Sequence, residues 1–267
     1  RRRFRSITTR TRIWTKRART GSDAYWRSTE GISVIDRCTV LVIFHSTWYD
    51  NSIASTKIEI LEENEMDKKS THPFAPEIPE GATKLIIGTM PPYRFCNTDE
   101  ALYDDDVNFY YGSRDNYFWE LVSDASGKRL TYANTQEAID ERKKLLADLH
   151  MGMVDMIVSC VHKDGKADDE SLCDIEERDN LKAILHEHPK IDTLIYTNKS
   201  ANIPKWVNKS SDKQYHEGWD KTKTHASVVI DKKAYKVIRL YSPSPYALRS
   251  VSKEVRREQY DVVFKLE

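Results

Sequence analysis

The chain has 267 residues, which is enough for one large domain or for one domain with an extension. Its 42 basic and 42 acidic residues balance, so the chain as a whole lacks the excess positive charge that tight nonspecific binding of nucleic acid requires. The apolar run over 39–44 is far shorter than the roughly 20 residues of a membrane-spanning helix, so we expect no membrane segment.

The beginning of the chain is strongly basic. Residues 1–20 contain nine Arg or Lys and no acid, and two interpretations stay open: an arm that binds phosphates, or a stretch that is disordered or not native to the domain. The run over 39–44 predicts a single strand. No secretory signal pattern is present, and we expect a cytoplasmic protein. We place the domain boundary after residue 65, with a basic extension over 1–65 and the domain over 66–267.

From Met66 onward, apolar runs alternate with polar helical patterns, which predicts an α/β architecture. The predicted strands cover 84–90, 153–158, 193–197 and 234–241. The predicted helices cover 116–122, 137–149, 175–187 and 250–266. Strands joined by helical crossovers favour a mainly parallel sheet, with ligands at the carboxyl ends of its strands.

Three segments fall where those strands end. The first loop (residues 88–92) follows the first strand with Gly-Thr-Met-Pro-Pro, and the last loop (residues 241–247) follows the last strand with Tyr-Ser-Pro-Ser-Pro-Tyr-Ala. Between them in sequence lies the slot segment (residues 109–119), in which aromatic residues flank the polar turn Gly-Ser-Arg-Asp-Asn. Aromatic walls with a few polar groups at the end suit a planar heterocycle such as a nucleobase. Hydroxyls and backbone amides of the last loop suit a phosphate.

In this order, the three segments resemble the uracil-DNA glycosylase superfamily, which has a Gly-x-x-Pro loop after its first strand and a Pro-Ser or Ser-Pro loop after its last. The slot segment resembles the motif of the hypoxanthine (deoxyinosine) DNA glycosylase branch through Tyr110, Tyr111, Asn116, Phe118 and Trp119. The resemblance covers about residues 72–265. It implies a three-layer α/β/α sandwich around a four-stranded, mainly parallel sheet.

The resemblance also implies an activity: hydrolysis of the N-glycosidic bond of hypoxanthine, xanthine or uracil in DNA. Better-known members of the superfamily have an Asp where this chain has Met90 and a His where it has Ser242. The hypoxanthine branch lacks both groups and depends on the slot asparagine, here Asn116. These departures predict an enzyme that is slower or that excises fewer kinds of base.

The expected roles follow from the resemblance, and each has a structural alternative. Asn116 is the expected catalytic residue, in contact with the base edge or the attacking water, and its alternative is a helix N-cap. At least one of Phe109 and Tyr111 is expected to stack on the base, and the alternative is core packing, which we expect for Phe118 and Trp119. The expected base pocket comprises Gly88, Thr89, Met90, Pro91, Phe109 and Tyr111. The expected DNA-binding residues are Ser242, Ser244 and Arg249.

Other polar residues have simpler interpretations. Asp155 is a candidate for assisting catalysis, with a structural hydrogen bond as the stronger alternative. Residues 104–106 are three aspartates that we expect to form a solvated loop rather than a metal site. Lys253, Arg256 and Arg257 are expected to lie on a solvated helix face. The four cysteines contain no C-x-x-C pair, so we expect neither a metal nor a cofactor.

The leading prediction is therefore a monomeric, monofunctional DNA N-glycosylase, since no lysine in the three segments could form a Schiff base. Two alternatives from other classes stay open. One is a nucleic-acid-binding module that is weakly active or inactive. The other is a hydrolase of free nucleosides or nucleotides, which the modest charge would suit.

Overall fold

We analyse a computed structural model of the chain. The structure describes residues 10–16, 26–35, 40–43, 68–97, 100–163, 171–198, 202–212, 225–245 and 251–266. The chain divides into two compact units, Arg1–Asp67 and Lys68–Glu267.

The described part of the first unit is an antiparallel sheet. Its strands are β1 (Arg10–Lys16), β2 (Trp26–Ile35) and β3 (Val40–Ile43), in that spatial order. Strand β3 confirms the strand predicted over 39–44. Whether residues 1–65 serve the function of the domain stays a prediction.

The second unit is built around a five-stranded sheet. Its strands are β5 (Lys84–Gly88), β6 (Met151–Asp155), β9 (Thr193–Tyr196), β10 (His225–Ile230) and β11 (Lys233–Arg239). In the order β10-β11-β9-β5-β6, the last four strands are mutually parallel and β10 is antiparallel to β11. The predicted four-stranded parallel core is confirmed, and β10 is an edge strand that the sequence analysis did not predict.

A second, smaller sheet is antiparallel and contains β4 (Lys68–Thr71), β7 (Ile157–His162) and β8 (Leu172–Glu177). The strand predicted over 153–158 is therefore two strands, β6 and β7. They separate at Met156, whose N–H donates to the carbonyl of Gly88 and whose carbonyl accepts from the N–H of Arg178. The helix predicted over 175–187 is wrong over 175–180, because residues 175–177 belong to β8 and the helix begins only at Leu181.

The described helices are α1 (Tyr93–Cys96), α2 (Phe118–Ser126), α3 (Gln136–Asp148), α4 (Leu181–Glu187), α5 (Asn202–Lys209) and α6 (Lys253–Phe264). Helix α1 lies against the smaller sheet, where Tyr93 contacts His162, and the other five pack on the central sheet. Two of them begin at a hydroxyl cap: Thr135 accepts from the N–H of Ala138, and Ser252 accepts from the N–H of Val255. Among the helices described, none combines the length and the apolar character that crossing a bilayer would need.

The core has two layers, one on each face of the central sheet, because successive side chains of a strand point to opposite faces. On one face, Leu85 and Leu194 belong to a buried cluster with residues of α4 and α5. On the other, their neighbours Ile86 and Ile195 belong to a cluster with residues of α2, α3 and α6. Helices therefore cover both faces, and the predicted three-layer α/β/α sandwich is confirmed.

Because the central strands are buried on both faces, removing an apolar side chain there should lower the free energy of unfolding more than anywhere else in the domain. Ile195 is fully buried in β9, and Ile195→Ala should lower the free energy of unfolding by about 3 kcal/mol, through lost burial and the resulting cavity. Val262, on α6, is 82% exposed, and Val262→Ala should change the same quantity by less than about 0.5 kcal/mol. Chemical denaturation of both variants tests the layer assignment; equal losses would contradict it.

Candidate functional site

The first loop, the slot segment and the last loop meet at the carboxyl ends of the parallel strands. Gly88 ends β5 and is the register partner of Asp155, which ends β6. The hydroxyl of Tyr111 lies 2.9 Å from the hydroxyl of Thr197, the residue after β9. The N–H of Tyr117 donates to the carbonyl of Pro243 in the last loop at 3.1 Å. The slot segment therefore crosses the strand ends and connects to both loops.

Gly88 allows the closest of these approaches. A Cβ at this position would lie 2.2 Å from the Oδ1 of Asp155 and 2.2 Å from the hydroxyl of Tyr111. Both distances are far below van der Waals contact, so a side chain at Gly88 would displace the carboxylate and the phenol together. The glycine of the first loop is thus required for the packing of the slot against β5 and β6.

A tight turn sets the direction of the slot segment. Gly112 donates through its N–H to the carbonyl of Phe109 and accepts from the N–H of Val107, and a Cβ there would lie 1.8 Å from the Val107 carbonyl oxygen. The residue before it, Tyr111, has φ of 55°. A non-glycine residue in this region carries backbone strain, which persists only where the surrounding contacts over-determine it.

The two candidate stacking residues have different environments. Phe109 is 4% exposed and packs among Phe74, Tyr110 and Trp119. This is the core packing that was the alternative to stacking on a base. Tyr111 is half-buried and stacks on Phe118, with ring centroids 4.3 Å apart and 22° between the planes. Tyr111 is therefore the less buried of the two, and the stacking of a base on it stays a prediction.

The remaining aromatics of the motif are structural. Phe118 and Trp119 are almost fully buried, so their predicted core packing is confirmed. The indole N–H of Trp119 donates to the carbonyl of Tyr110 at 2.7 Å, which ties the end of the motif to its beginning.

Asn116 lies one residue before Tyr117, the N-cap of α2, so the predicted N-cap alternative for Asn116 is wrong. Its Oδ1 accepts from the N–H of Phe118 at 2.9 Å and closes a turn at the start of the helix. Because only the carbonyl oxygen can accept, this bond fixes the orientation of the amide. The Nδ2 group makes no hydrogen bond to the residues described, and the side chain is half-buried. It is a donor of fixed direction in the polar part of the slot.

A buried ion pair holds the slot against α1. The guanidinium of Arg94 donates to both carboxylate oxygens of Asp106, at 2.8 and 2.9 Å, and to the hydroxyl of Ser113 at 2.7 Å. Asp106 also accepts from the backbone N–H groups of Tyr103 and Arg114. Asp106 is fully buried, so the predicted solvated loop over 104–106 is wrong at its last residue and holds for the other two, which are exposed.

Burial alone would raise the pKa of the Asp106 carboxyl, because it disfavours the charged form. The hydrogen bond from Arg94 and those from the backbone N–H groups outweigh burial, and the net pKa lies below its usual value. Asp106 is therefore a carboxylate with partners on both oxygens, as a buried charge requires.

Asp155 is paired with a histidine that the sequence analysis missed. The Nε2 of His72 lies 2.9 Å from the Oδ2 of Asp155, and both side chains are less than a tenth exposed. The Nε of Arg178 donates to the backbone carbonyl of Asp155 at 2.7 Å. The Oδ1 of Asp155 is buried without a hydrogen-bond partner. His72 gave no signal in the sequence, because it lies in no motif and is 83 residues away in the chain.

The other first-loop residues have different exposures. Thr89 is half-buried, and its carbonyl accepts from the N–H of Ile157. Met90 and Pro91 are buried, and Met90 belongs to the core cluster on the α4 side of the sheet. Gly88 is the first-loop residue in close approach to the slot segment, and a base pocket formed by these four residues stays a prediction.

In the last loop, Ser242 and Ser244 are half-buried and form a turn, in which the N–H of Ser244 donates to the Ser242 hydroxyl. Arg256 is 1% exposed and donates to the carbonyl of Ser244, so its predicted solvated position is wrong. Lys253 is exposed, and its Nζ lies 5.0 Å from the ring centroid of Tyr117. The predicted DNA contact of Arg249 lies outside the described residues.

Within the described residues, no cluster of three or more His, Cys, Asp or Glu could hold a metal ion. The thiol of Cys96, close behind the first loop, lies near the carbonyls of Pro91 and Pro92, and burial raises its pKa to about 12. A thiol that stays protonated at neutral pH is a poor nucleophile.

Comparison with known proteins adds little. No family model and no curated protein matches the chain. A solution NMR structure of a Methanosarcina acetivorans protein, provisionally named a uracil DNA glycosylase, is 20% identical over 74% of this chain and 97% of that one. Its TM-score of 0.46 is too low to support an argument about family or function.

The buried ion pair yields a stability prediction. Asp106→Asn removes the buried anion of the Arg94 guanidinium and leaves it the exposed carboxylate of Asp115 at 3.4 Å, so it should lower the free energy of unfolding by about 3 kcal/mol at pH 7. Asp105→Asn is a matched control, because Asp105 is exposed and its ion pair with Arg114 lies at the surface; it should cost less than about 1 kcal/mol.

The sign of the pH dependence follows from the lowered pKa. The stabilisation by Asp106 is fully present above the usual carboxyl value of 3.8 and is lost as the pH falls through the lower folded-state pKa. Urea unfolding of wild type and Asp106→Asn should therefore differ most near neutral pH and converge in strong acid. A difference that grows on acidification would contradict this assignment.

Proposed function

We propose that the chain is a monofunctional DNA base-excision glycosylase of the uracil-DNA glycosylase superfamily, in its hypoxanthine branch. It hydrolyses the N-glycosidic bond of hypoxanthine, xanthine or uracil in DNA. The observation that carries the proposal is the meeting of the first loop, the slot segment and the last loop at the carboxyl edge of the parallel sheet. These are the segments that, by resemblance, would receive an extruded base, and ligands of such sheets bind at this edge.

The fixed amide of Asn116 suits a deaminated base. Deamination replaces an exocyclic amine with a carbonyl, so a hydrogen-bond donor on the base becomes an acceptor. The Nδ2 of Asn116 can only donate, since the Oδ1 is used by Phe118. It therefore matches the carbonyl of a deaminated base and opposes the amine of the parent base, which would leave two donors facing each other.

Tyr111 suits the flat surface of the base. Its ring stacks on Phe118 and its side chain is only half-buried, and we infer that it is the ring of the slot segment on which the base stacks. Extrusion of a nucleotide costs a few kcal/mol, and stacking on an aromatic ring offsets about 1–3 kcal/mol of that cost.

Bond cleavage places positive charge on the sugar and negative charge on the departing base. Water attacks the sugar carbon, the glycosidic electron pair leaves with the base, and the proton lost by the water is balanced by protonation of the base. With Met90 and Ser242 in place of the Asp and His of other members, the donor on Asn116 and the backbone dipoles of the loops stabilise the charge on the base. We expect a slow monomeric enzyme of the cytoplasm that needs no cofactor.

The last loop is the proposed contact with DNA. The hydroxyls of Ser242 and Ser244 suit phosphate oxygens, and Arg249 follows them in sequence. Lys253 lies beside Tyr117 at the end of the slot and adds an exposed positive charge there. We assign these four residues to the DNA backbone, because hydroxyls and cationic side chains are the groups that bind phosphate oxygens.

The decisive variant is Asn116→Asp. An aspartate keeps an acceptor for the N–H of Phe118 and so preserves this hydrogen bond at the start of α2, but it removes the donor. We expect excision to fall by about 100-fold or more with little change in thermal stability. The assay incubates the full chain with labelled single- and double-stranded oligonucleotides containing uracil, hypoxanthine or xanthine, and then cleaves abasic sites with alkali.

Asn116→Ala, which removes both groups, serves as a second variant. Full excision by either variant on every substrate of the wild type would contradict the catalytic assignment. DNA binding by the wild type without strand breaks would support the inactive module, and release of bases from free nucleosides alone would support the nucleoside hydrolase.

The position of Lys253 predicts a change in salt dependence. Lys253→Gln should weaken binding of all DNA sequences alike and reduce the slope of log affinity against log salt by about one. Lys144→Gln is the control, since Lys144 lies on α3, paired with Asp148, and should leave the slope unchanged. Fluorescence anisotropy at several salt concentrations measures both; equal slopes for wild type and Lys253→Gln would remove Lys253 from the DNA contact.

A further inference from the structure

We propose that Arg256 provides a buried positive charge on the helix side of the last loop, and that this charge makes the loop a binding site for a phosphate group of the DNA strand. The source of the phosphate rests on the proposed function, because it requires DNA at the last loop. Arg256 does not touch the anion: it is a positioning residue that acts through the loop.

Helix α6 holds the last loop at three points. The Oε1 of Gln259 accepts from the N–H of Tyr241 at 2.9 Å, and the hydroxyl of Tyr260 donates to the carbonyl of Tyr241 at 3.3 Å. The Nη1 of Arg256 donates to the carbonyl of Ser244 at 3.5 Å. The guanidinium therefore lies against the serine turn of the loop, on the side that faces α6.

The position of Arg256 on α6 lets its side chain reach the loop. Its N–H donates to the carbonyl of Ser252, the N-cap residue, so it closes the first turn of the helix. Long side chains of a helix lean toward its N-terminus, which here is the end nearer in sequence to the last loop. The next residue, Arg257, lies on another face, where it is 55% exposed and pairs with Asp124.

The charge of Arg256 has no anion beside it in the part of the chain that the structure describes. The side chain is 1% exposed, and its Nε and Nη2 have no hydrogen-bond partner there. The titratable groups that act on it are the phenols of Tyr260 and Tyr117, not carboxylates. Burial lowers the pKa of the guanidinium, yet arginine keeps its proton in proteins. Buried charges are normally paired, so this cation indicates a site for a counter-ion.

A second buried arginine shows how such a charge is held without an anion. The guanidinium of Arg142 lies between the rings of Trp119 and Tyr132, at 5.4 and 5.1 Å from their centroids. Its Nη1 donates to the carbonyls of Thr131 and Ala138, both at 2.8 Å. Arg256 has one hydrogen bond to the described residues, and its length is 3.5 Å. An anion at the last loop would therefore stabilise Arg256 more than Arg142 needs.

The start of α6 does not supply a second anion site. Glu254, in the first turn, accepts from its own N–H and from the hydroxyl of Ser252, and these bonds lower the pKa of its carboxyl. A carboxylate therefore already occupies the helix N-terminus, where the helix dipole favours negative charge. The charge left to attract a further anion is that of Arg256.

The last loop presents donors to such an anion. The hydroxyl of Ser242 accepts from the N–H of Ser244 at 3.2 Å, which leaves its own hydrogen to donate. Both serines are half-buried, so part of each remains accessible to a ligand. A phosphate at this turn would feel the charge of Arg256 across the loop, where water and salt screen a buried charge poorly. Neutral hydroxyls accept many ligands, and the buried charge gives the loop its preference for an anion.

The test separates the charge of Arg256 from its hydrogen bond to Ser244. Arg256→Gln keeps a donor but removes the charge, whereas Arg256→Lys keeps a cation. Calorimetric titration with inorganic phosphate compares both with wild type, in the full chain at pH 6 and constant ionic strength. We expect saturable binding to wild type, an affinity at least about tenfold weaker for Arg256→Gln, and an affinity within about threefold of wild type for Arg256→Lys.

Arg257→Gln is the matched control, because it removes the same charge one residue further along α6, from an exposed side chain that is already paired. It should change the phosphate affinity by less than about twofold. A merely structural role for Arg256 predicts the opposite order, with Arg256→Gln binding phosphate like wild type. This result would overturn the inference while the proposed function stands.

Excision kinetics connect the anion site to DNA. Because the charge attracts the phosphate equally before and during bond cleavage, Arg256→Gln should raise the KM for an oligonucleotide containing the excised base by about tenfold and leave kcat unchanged. In wild type, inorganic phosphate at constant ionic strength should also raise KM without changing kcat. Phosphate binding without this competition would overturn the assignment of the site to the DNA strand.

Two outcomes do not depend on the folding of any variant. A wild type that excises bases but shows no saturable phosphate binding would overturn the inference alone. Failure of the wild type to excise uracil, hypoxanthine or xanthine would overturn the proposed function and, with it, the assignment of the phosphate to DNA.

Discussion

The site depends on the absence of a side chain at Gly88. At this strand end, a carboxylate from β6 and a phenol from the slot segment both occupy space that any Cβ would take. The slot segment can therefore lie directly on the carboxyl edge of the sheet. The hydroxyl of Tyr111 is hydrogen-bonded to that of Thr197 after β9, and the N–H of Tyr117 donates to the carbonyl of Pro243 in the last loop. Three segments far apart in sequence meet at one edge of the sheet because Gly88, without a Cβ, lets Asp155 and Tyr111 approach its backbone.

Two opposed contributions keep this surface in a single arrangement. Tyr111 carries backbone strain at φ of 55°, and the buried pair of Arg94 and Asp106 fixes the neighbouring turn through Ser113. A buried ion pair is tolerated only when nearly all of its hydrogen-bonding groups are satisfied, which the backbone N–H groups around Asp106 achieve. This rigidity suits the binding role proposed for the slot segment, because a preformed site loses less entropy when the ligand arrives.

The sequence predicted the structure correctly where residues close together in the chain determine it. Apolar runs located β5, β9 and β11, and the aromatic motif located the slot together with its buried members Phe118 and Trp119. Prediction failed where distant residues decide the outcome. Residues 175–177 form a strand because β7 lies beside them, and Asp106 is buried because Arg94 lies opposite it. His72 could not be identified from sequence, since only the fold brings it to Asp155.

The central claim is that this edge of the sheet releases a deaminated base from DNA by hydrolysis. The most direct measurement is the amount of free base released from an oligonucleotide by the full chain, counted by mass spectrometry against the abasic sites formed in the same reaction. We expect one free base for each abasic site, with release dependent on the donor of Asn116. Intact oligonucleotides after prolonged incubation with uracil, hypoxanthine and xanthine substrates, or release that is unchanged in Asn116→Asp, would contradict it.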